Sequence, residues 1–74
     1  MNFDYSKLRG RIVEKFGSIS KFADAYGISL NSMSRKLNGK IQISTADIEK
    51  MSSEEFLDID SADYPVYFFA VKVQ

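Results

Sequence analysis

The chain has 74 residues, 45% of them apolar, with ten basic and ten acidic side chains and a formal net charge of zero. Such a length holds one domain at most, spanning residues 1–74, and the apolar content with a single proline argues for a folded rather than a disordered chain. It contains neither cysteine nor histidine, which removes disulfides, thiolate metal sites, the usual general base and the usual imidazole ligand. No signal-peptide pattern opens the sequence and no stretch approaches membrane-spanning length, so a soluble intracellular domain is expected.

In chain order, Asp4 is placed to cap a first helix from Tyr5 to Phe16, with Leu8, Ile12 and Phe16 as its inner stripe and Tyr5 and Val13 alongside. Gly10 sits inside that helix at a cost of about 1 kcal/mol relative to alanine, and Gly17 supplies its stop. Ser18 caps a second helix, Ile19 to Tyr26, whose apolar face is Phe22, Ala23 and Tyr26 and which Gly27 ends. Ser29 caps a third, Leu30 to Leu37, in which Met33 and Leu37 lie one turn apart on one face. Asn38-Gly39 terminates it. Ser44-Thr45-Ala46-Asp47 has the form of a capping box, with Asp in place of Glu or Gln, ahead of a short fourth helix through Ile48 and Met51.

Phe56, Leu57 and Ile59 suggest a further helical turn started by Ser52 or Ser53. The stretch from Tyr64 to Val73 is almost wholly apolar and reads in two ways. As a strand it sets Val66, Phe68 and Ala70 against Tyr67, Phe69 and Val71. As a helix capped near Ser61 it makes a stripe of Tyr64, Tyr67, Phe68 and Val71, with Pro65 tolerated in the first turn. We read it as a helix to about Phe69 and then an extended tail. The fold class expected is all-α, a compact domain of four to five helices, without repeats or linkers.

The zero net charge hides a division. Residues 1–41 hold eight basic and three acidic side chains, a balance of +5, and residues 42–74 hold two basic and seven acidic, a balance of −5. Such an asymmetry suggests one half facing a polyanion and another facing elsewhere.

Two short helices joined by one tight turn meet the physical conditions of a helix-turn-helix. Ala23 is small where the next helix crosses close, Gly27 permits the sharp turn four residues later, and Ile28 and Met33 plug the angle between the helices. Over "SISKFADAYGISLNSMSRKLNG", Ser18 to Gly39, the chain resembles the phage Cro and repressor type of helix-turn-helix proteins, and "NFDYSKLRGRIVEKFGS" is similar to the opening of small Cro-like regulators of temperate phages of Gram-positive bacteria. One departure is that Lys36 stands where many relatives have an apolar residue, the apolar position here coming one later, at Leu37.

The resemblance implies a DNA-binding transcriptional regulator in the cytoplasm of a bacterial host, encoded by a phage or prophage, using no cofactor. Its third helix would enter the major groove of double-stranded DNA, with Leu30, Asn31, Ser34 and Arg35 as base readers: Asn31 toward adenine, Arg35 toward guanine, Leu30 against a thymine methyl. Phosphate contacts would come from Ser18, Ser20, Lys21, Ser32, Lys36, Asn38, Lys40, Ser44 and Thr45, several of which stand at helix N-termini that favour an anion. The competing reading of the serines is that they are helix caps first, and that of Arg35 and Lys36 is ordinary solvated surface.

Other chemistries fit poorly. "DIDSAD", Asp58 to Asp63, lacks the glycine and the glutamate of a calcium loop, and Glu54 and Glu55 have no helper residue or cleft motif for acid-base work. No metal site and no enzymatic activity are expected. The aromatic tail, by contrast, offers Tyr67, Phe68, Phe69 and Val71 either as ordinary core or as a partner surface. That surface would serve a homodimer spacing two recognition helices one DNA turn apart, about 34 Å, or another protein. A second function follows from the acidic half and the tail together: an antirepressor or co-regulator that binds a phage repressor protein.

Overall fold

The structure is a computed structural model that describes residues 3–72. All regular elements among them are helical: α1 (Ser6–Phe16), α2 (Ile19–Tyr26), α3 (Leu30–Leu37), α4 (Thr45–Ser52), a 3-10 turn (Ser61–Asp63) and α5 (Tyr64–Phe68). Val73, the last residue of the apolar stretch, lies outside the described residues.

The caps follow local chemistry. Ser18, Ser29 and Ser44 each accept a hydrogen bond from the backbone N–H three residues on, at Lys21, Ser32 and Asp47. Ser44 and Asp47 close the capping box reciprocally. Gly27 takes a left-handed conformation, φ 96°, after Tyr26, and its N–H returns to the carbonyl of Ala23 at 2.9 Å. A side chain there would be strained, which is why glycine suits this turn. Asp4 acts from one residue further out than expected: α1 begins at Ser6, and Asp4 accepts from the Ser6 N–H at 2.9 Å.

The core draws on every helix. Leu8, Ile12, Phe22, Ala23, Met33, Leu37, Ile48, Met51, Leu57 and Phe68 are buried together, and Phe16, Phe22, Tyr26 and Phe56 form a ring cluster whose neighbouring centroids lie 5.0–6.4 Å apart, Phe16 stacked on Phe56 and the other pairs tilted or edge to face. Ala23 is fully buried with Met33 and the half-buried Ile28 against the α2–α3 turn, as the helix-pair spacing anticipates. Phe3 and Val71 form an antiparallel bridge, and Asp4 N–H donates to Ala70 C=O at 2.6 Å, so the two ends of the described chain meet.

Three expectations are corrected. Val13 is exposed, because it lies about 100° around the helix from Ile12 and so off the Leu8–Ile12 stripe. Phe56 to Ile59 is an irregular turn and not a helix. There Ser53 is extended, Asp58 takes φ 50°, and the N–H groups of Leu57 and Ile59 return to the carbonyls of Met51 and Ser52. Arg11 of α1 stitches this turn down, its guanidinium donating to the carbonyls of Leu57 at 3.0 Å and Asp58 at 3.2 Å. Finally, the cap near Ser61 serves a 3-10 turn and not the helix itself: Asp60 accepts from Ala62 N–H at 3.2 Å, and α5, which follows at Tyr64, has no side-chain cap of its own.

Candidate functional site

On α3 the apolar face turns inward and the polar face outward. Met33 and Leu37 are buried, while Leu30, Asn31 and Arg35 are exposed and Ser34 is half-buried. Leu30 stands out as a large apolar side chain left in solvent. Arg35 has no hydrogen-bonded or ionic side-chain partner among the described residues. Lys36, the departure from the helix-turn-helix pattern, turns toward α4: its ammonium lies 2.9 Å from the Asp47 carboxylate.

Asp47 is the centre of a polar knot joining three helices. One oxygen accepts from the Tyr26 hydroxyl of α2; the other accepts from Lys36 of α3 and from Ser44 N–H and hydroxyl at 3.2 and 3.1 Å. Burial pushes its pKa upward, but the Tyr26, Lys36 and Ser44 hydrogen bonds outweigh that and hold it down at about 2. The Tyr26 phenol is raised well above its ordinary value by burial first and by the Asp47 carboxylate second. Lys50 completes the cluster from α4, donating to Tyr26 C=O at 2.9 Å with its ammonium 4.1 Å from the Tyr26 ring centroid. Composition and periodicity carry no signal for this knot, apart from Asp47 in its capping box.

The remaining residues expected at phosphates divide into engaged and open groups. Ser20, Lys21, Lys40 and Thr45 are exposed. Ser18 and Ser44 spend their hydroxyls on caps, and Ser32 shares a hydrogen bond with the Ser29 hydroxyl at 3.1 Å. Asn38 is exposed, yet its side-chain oxygen accepts from Arg9 of α1, which also donates to Leu37 C=O at 3.0 Å. Arg9 thus secures the C-terminal end of α3, a role its sequence position did not reveal.

The acidic half presents a different surface. Glu49, Glu54, Glu55, Asp58, Asp60 and Asp63 are all exposed, and none forms an ion pair among the described residues. Within the tail, Phe68 belongs to the core at 1% exposure, so it is withdrawn from the expected partner surface: α5 packs it inward on α1. Tyr67 is half-buried against the core, whereas Phe69 (48% exposed) and Val71 remain open, joined by Val66. Among the described residues no three side chains of His, Cys, Asp or Glu are grouped to hold a metal ion, and no helix is long and apolar enough to cross a membrane.

Residues 1–71 match a family described as a protein of unknown function, DUF739. The chain belongs to that family. Its backbone is similar to the solution structure of the modulator of repression (MOR) of the temperate bacteriophage TP901-1 from Lactococcus lactis. That match has a TM-score of 0.81 and 40% sequence identity, covering 100% of this chain and 97% of the other. No curated protein matches the chain. The relationship ties the chain to a temperate-phage regulator, as the resemblance implied, through a modulator of repression and not through a Cro protein.

Proposed function

We propose that this chain modulates a phage repressor by binding the repressor protein and altering its hold on operator DNA. The full-length likeness to a modulator of repression carries this reading. The six exposed carboxylates between Glu49 and Asp63 supply its chemistry, since a repressor's DNA-binding face is basic and an acidic surface competes with DNA for it. The internal pairing of Lys36 with Asp47 supports it further, because it removes a cation from the face that would otherwise meet phosphates. The work is binding in the bacterial cytoplasm, with no chemical step and no cofactor.

A second reading keeps α3 as a recognition helix. The joint exposure of Leu30, Asn31 and Arg35 supports it, and it makes the chain a Cro-like, operator-binding helix-turn-helix protein that dimerises through the open tail residues Phe69 and Val71. On this view Arg35→Ala weakens operator binding by about 1–3 kcal/mol.

One titration separates the two. The purified chain is mixed with a temperate-phage repressor protein, and separately with a randomised duplex pool, at low and near-physiological salt. The first reading expects a complex with the repressor that operator DNA displaces, and weak duplex binding without sequence enrichment. Tight duplex binding with an enriched palindrome, together with no repressor complex, overturns it and leaves the second.

A further inference from the structure

Apart from the acidic face, the surface holds a cleft of about 670 Å³ where the N-terminal segment, the loop between α3 and α4, and the end of α5 converge. Its floor is the buried Ile43, Ile48 and Phe68, and its walls include Phe3, Ile41 and Phe69. Phe3 and Phe69 meet edge to face at 5.9 Å, and Ile41 and Phe69 are both open to solvent. Large apolar side chains gathered in a concavity, and not scattered over a convex surface, are a feature of binding grooves.

The charges are as one-sided as the shape. Lys40 and Lys72 line the cleft, and among the described residues that line it none is acidic. The adjoining smaller recess of about 200 Å³ shares Phe3, Tyr5, Asn38 and Lys72 with it; the one carboxylate among its described lining residues, Asp4, accepts from the Ser6 N–H and hydroxyl and also attracts Lys72. The backbone adds donors: among the described residues the N–H groups of Gln42 and Ile43 have no hydrogen-bond acceptor. An apolar groove flanked by two ammonium groups and two unspent amides matches a peptide that carries a large apolar side chain between carboxylates.

We propose that this cleft docks an acidic, apolar segment of a partner protein. The occupant is not the acidic stretch of a second copy. That stretch, Ser53 to Asp63, turns Leu57 and Ile59 into its own core and Phe56 into the aromatic cluster, so it has carboxylates to offer but no large apolar side chain free to enter. The site lies apart from the repressor-binding surface proposed above, since none of the six exposed carboxylates lines it. The chain is therefore a two-sided adaptor, with an acidic face for a basic partner and a basic cleft for an acidic one.

The test is an NMR titration of the full chain, uniformly labelled with nitrogen-15, with the acetylated peptide Asp-Asp-Leu-Phe-Asp-Asp. The control peptide is Lys-Lys-Leu-Phe-Lys-Lys. Saturable amide shifts confined to Phe3–Tyr5, residues 38–43 and Phe69–Lys72 are expected with the acidic peptide alone. In the double variant Lys40→Glu, Lys72→Glu, whose altered positions are exposed and leave the fold intact, the affinity falls about tenfold or more. No saturable shift up to about 1 mM peptide, an equal response to the basic peptide, or an unchanged affinity in the double variant overturns the proposal. Binding of the repressor through the acidic face is read separately, so failure of one leaves the other standing.

Discussion

Replacing Asp47 tests the knot that ties α2, α3 and α4 together. Asp47→Asn keeps the shape and removes the charge. The carboxyl is lowered from 3.8 to about 2 in the folded chain, which at about 1.4 kcal/mol per unit sets an upper bound near 2–3 kcal/mol. The side chain keeps 16% exposure, so water screens part of this and about 1–2 kcal/mol is expected at pH 7. Asp47→Ala goes further: it removes a capping partner and leaves the Tyr26 hydroxyl and the Lys36 ammonium without their acceptor, a loss of about 2–4 kcal/mol. For a domain of this size that lowers the Tm by roughly 10–25 °C. Because the folded pKa lies below the unfolded one, the stabilisation is fully present above about pH 4 and is lost as pH falls toward 2. Urea unfolding followed by circular dichroism, repeated from pH 7 to pH 2.5, should therefore show wild type and Asp47→Asn converging in acid. A neutral effect at pH 7, or a gap that stays constant through the acid range, refutes the assignment of Asp47 as an ionised hub.

Three further outcomes follow from burial and backbone geometry. Gly10 faces open space within α1 and has no positive φ, so Gly10→Ala should stabilise the chain by about 0.5–1 kcal/mol, read as a rise in urea midpoint. The Ser52 hydroxyl is buried without a partner among the described residues; Ser52→Ala should be neutral or stabilising by up to about 1 kcal/mol in the same assay, and a clear loss would reveal a hidden partner. Phe68 and Phe69 are neighbours with opposite fates: Phe68→Ala should cost about 3–5 kcal/mol, whereas Phe69→Ala should change thermal stability by less than about 1 kcal/mol, and equal effects would contradict the orientation of α5.

Helices α2, α3 and α4 were legible because each carries its own N-terminal cap. Ser18, Ser29 and Ser44 each cap the helix that follows, and Gly17, Gly27 and Asn38 stand at the C-terminal caps. The bounds of α2 and α3 can be written from those residues alone. The segment from Ser53 to Ile59 was not legible, because its conformation comes from a distant cation: Arg11, on another helix, holds the Leu57 and Asp58 carbonyls. Periodicity sees apolar spacing along one element and has no access to a guanidinium 46 residues away. Phe68 shows the same limit within α5, where a run of apolar residues gives no sign of which one α1 will cover.

The candidate surfaces divide along the same line. Exposure of Leu30, Asn31 and Arg35 follows from helical periodicity, so the outer face of α3 could be drawn without coordinates. What that face can do depends on Lys36, and its partner sits on the next helix. Counted along the chain, Lys36 belongs to the basic half and Asp47 to the acidic half, and the balance of +5 against −5 treats them as separate charges. In space they cancel, at 2.9 Å, and the consequence is asymmetric. The acidic half keeps six exposed carboxylates, while α3 keeps Arg35 as its one cation free of an ion pair among the described residues. A helix that enters DNA gains from each phosphate it neutralises. Pairing Lys36 internally forgoes that gain, and the same pair ties α3 to α4.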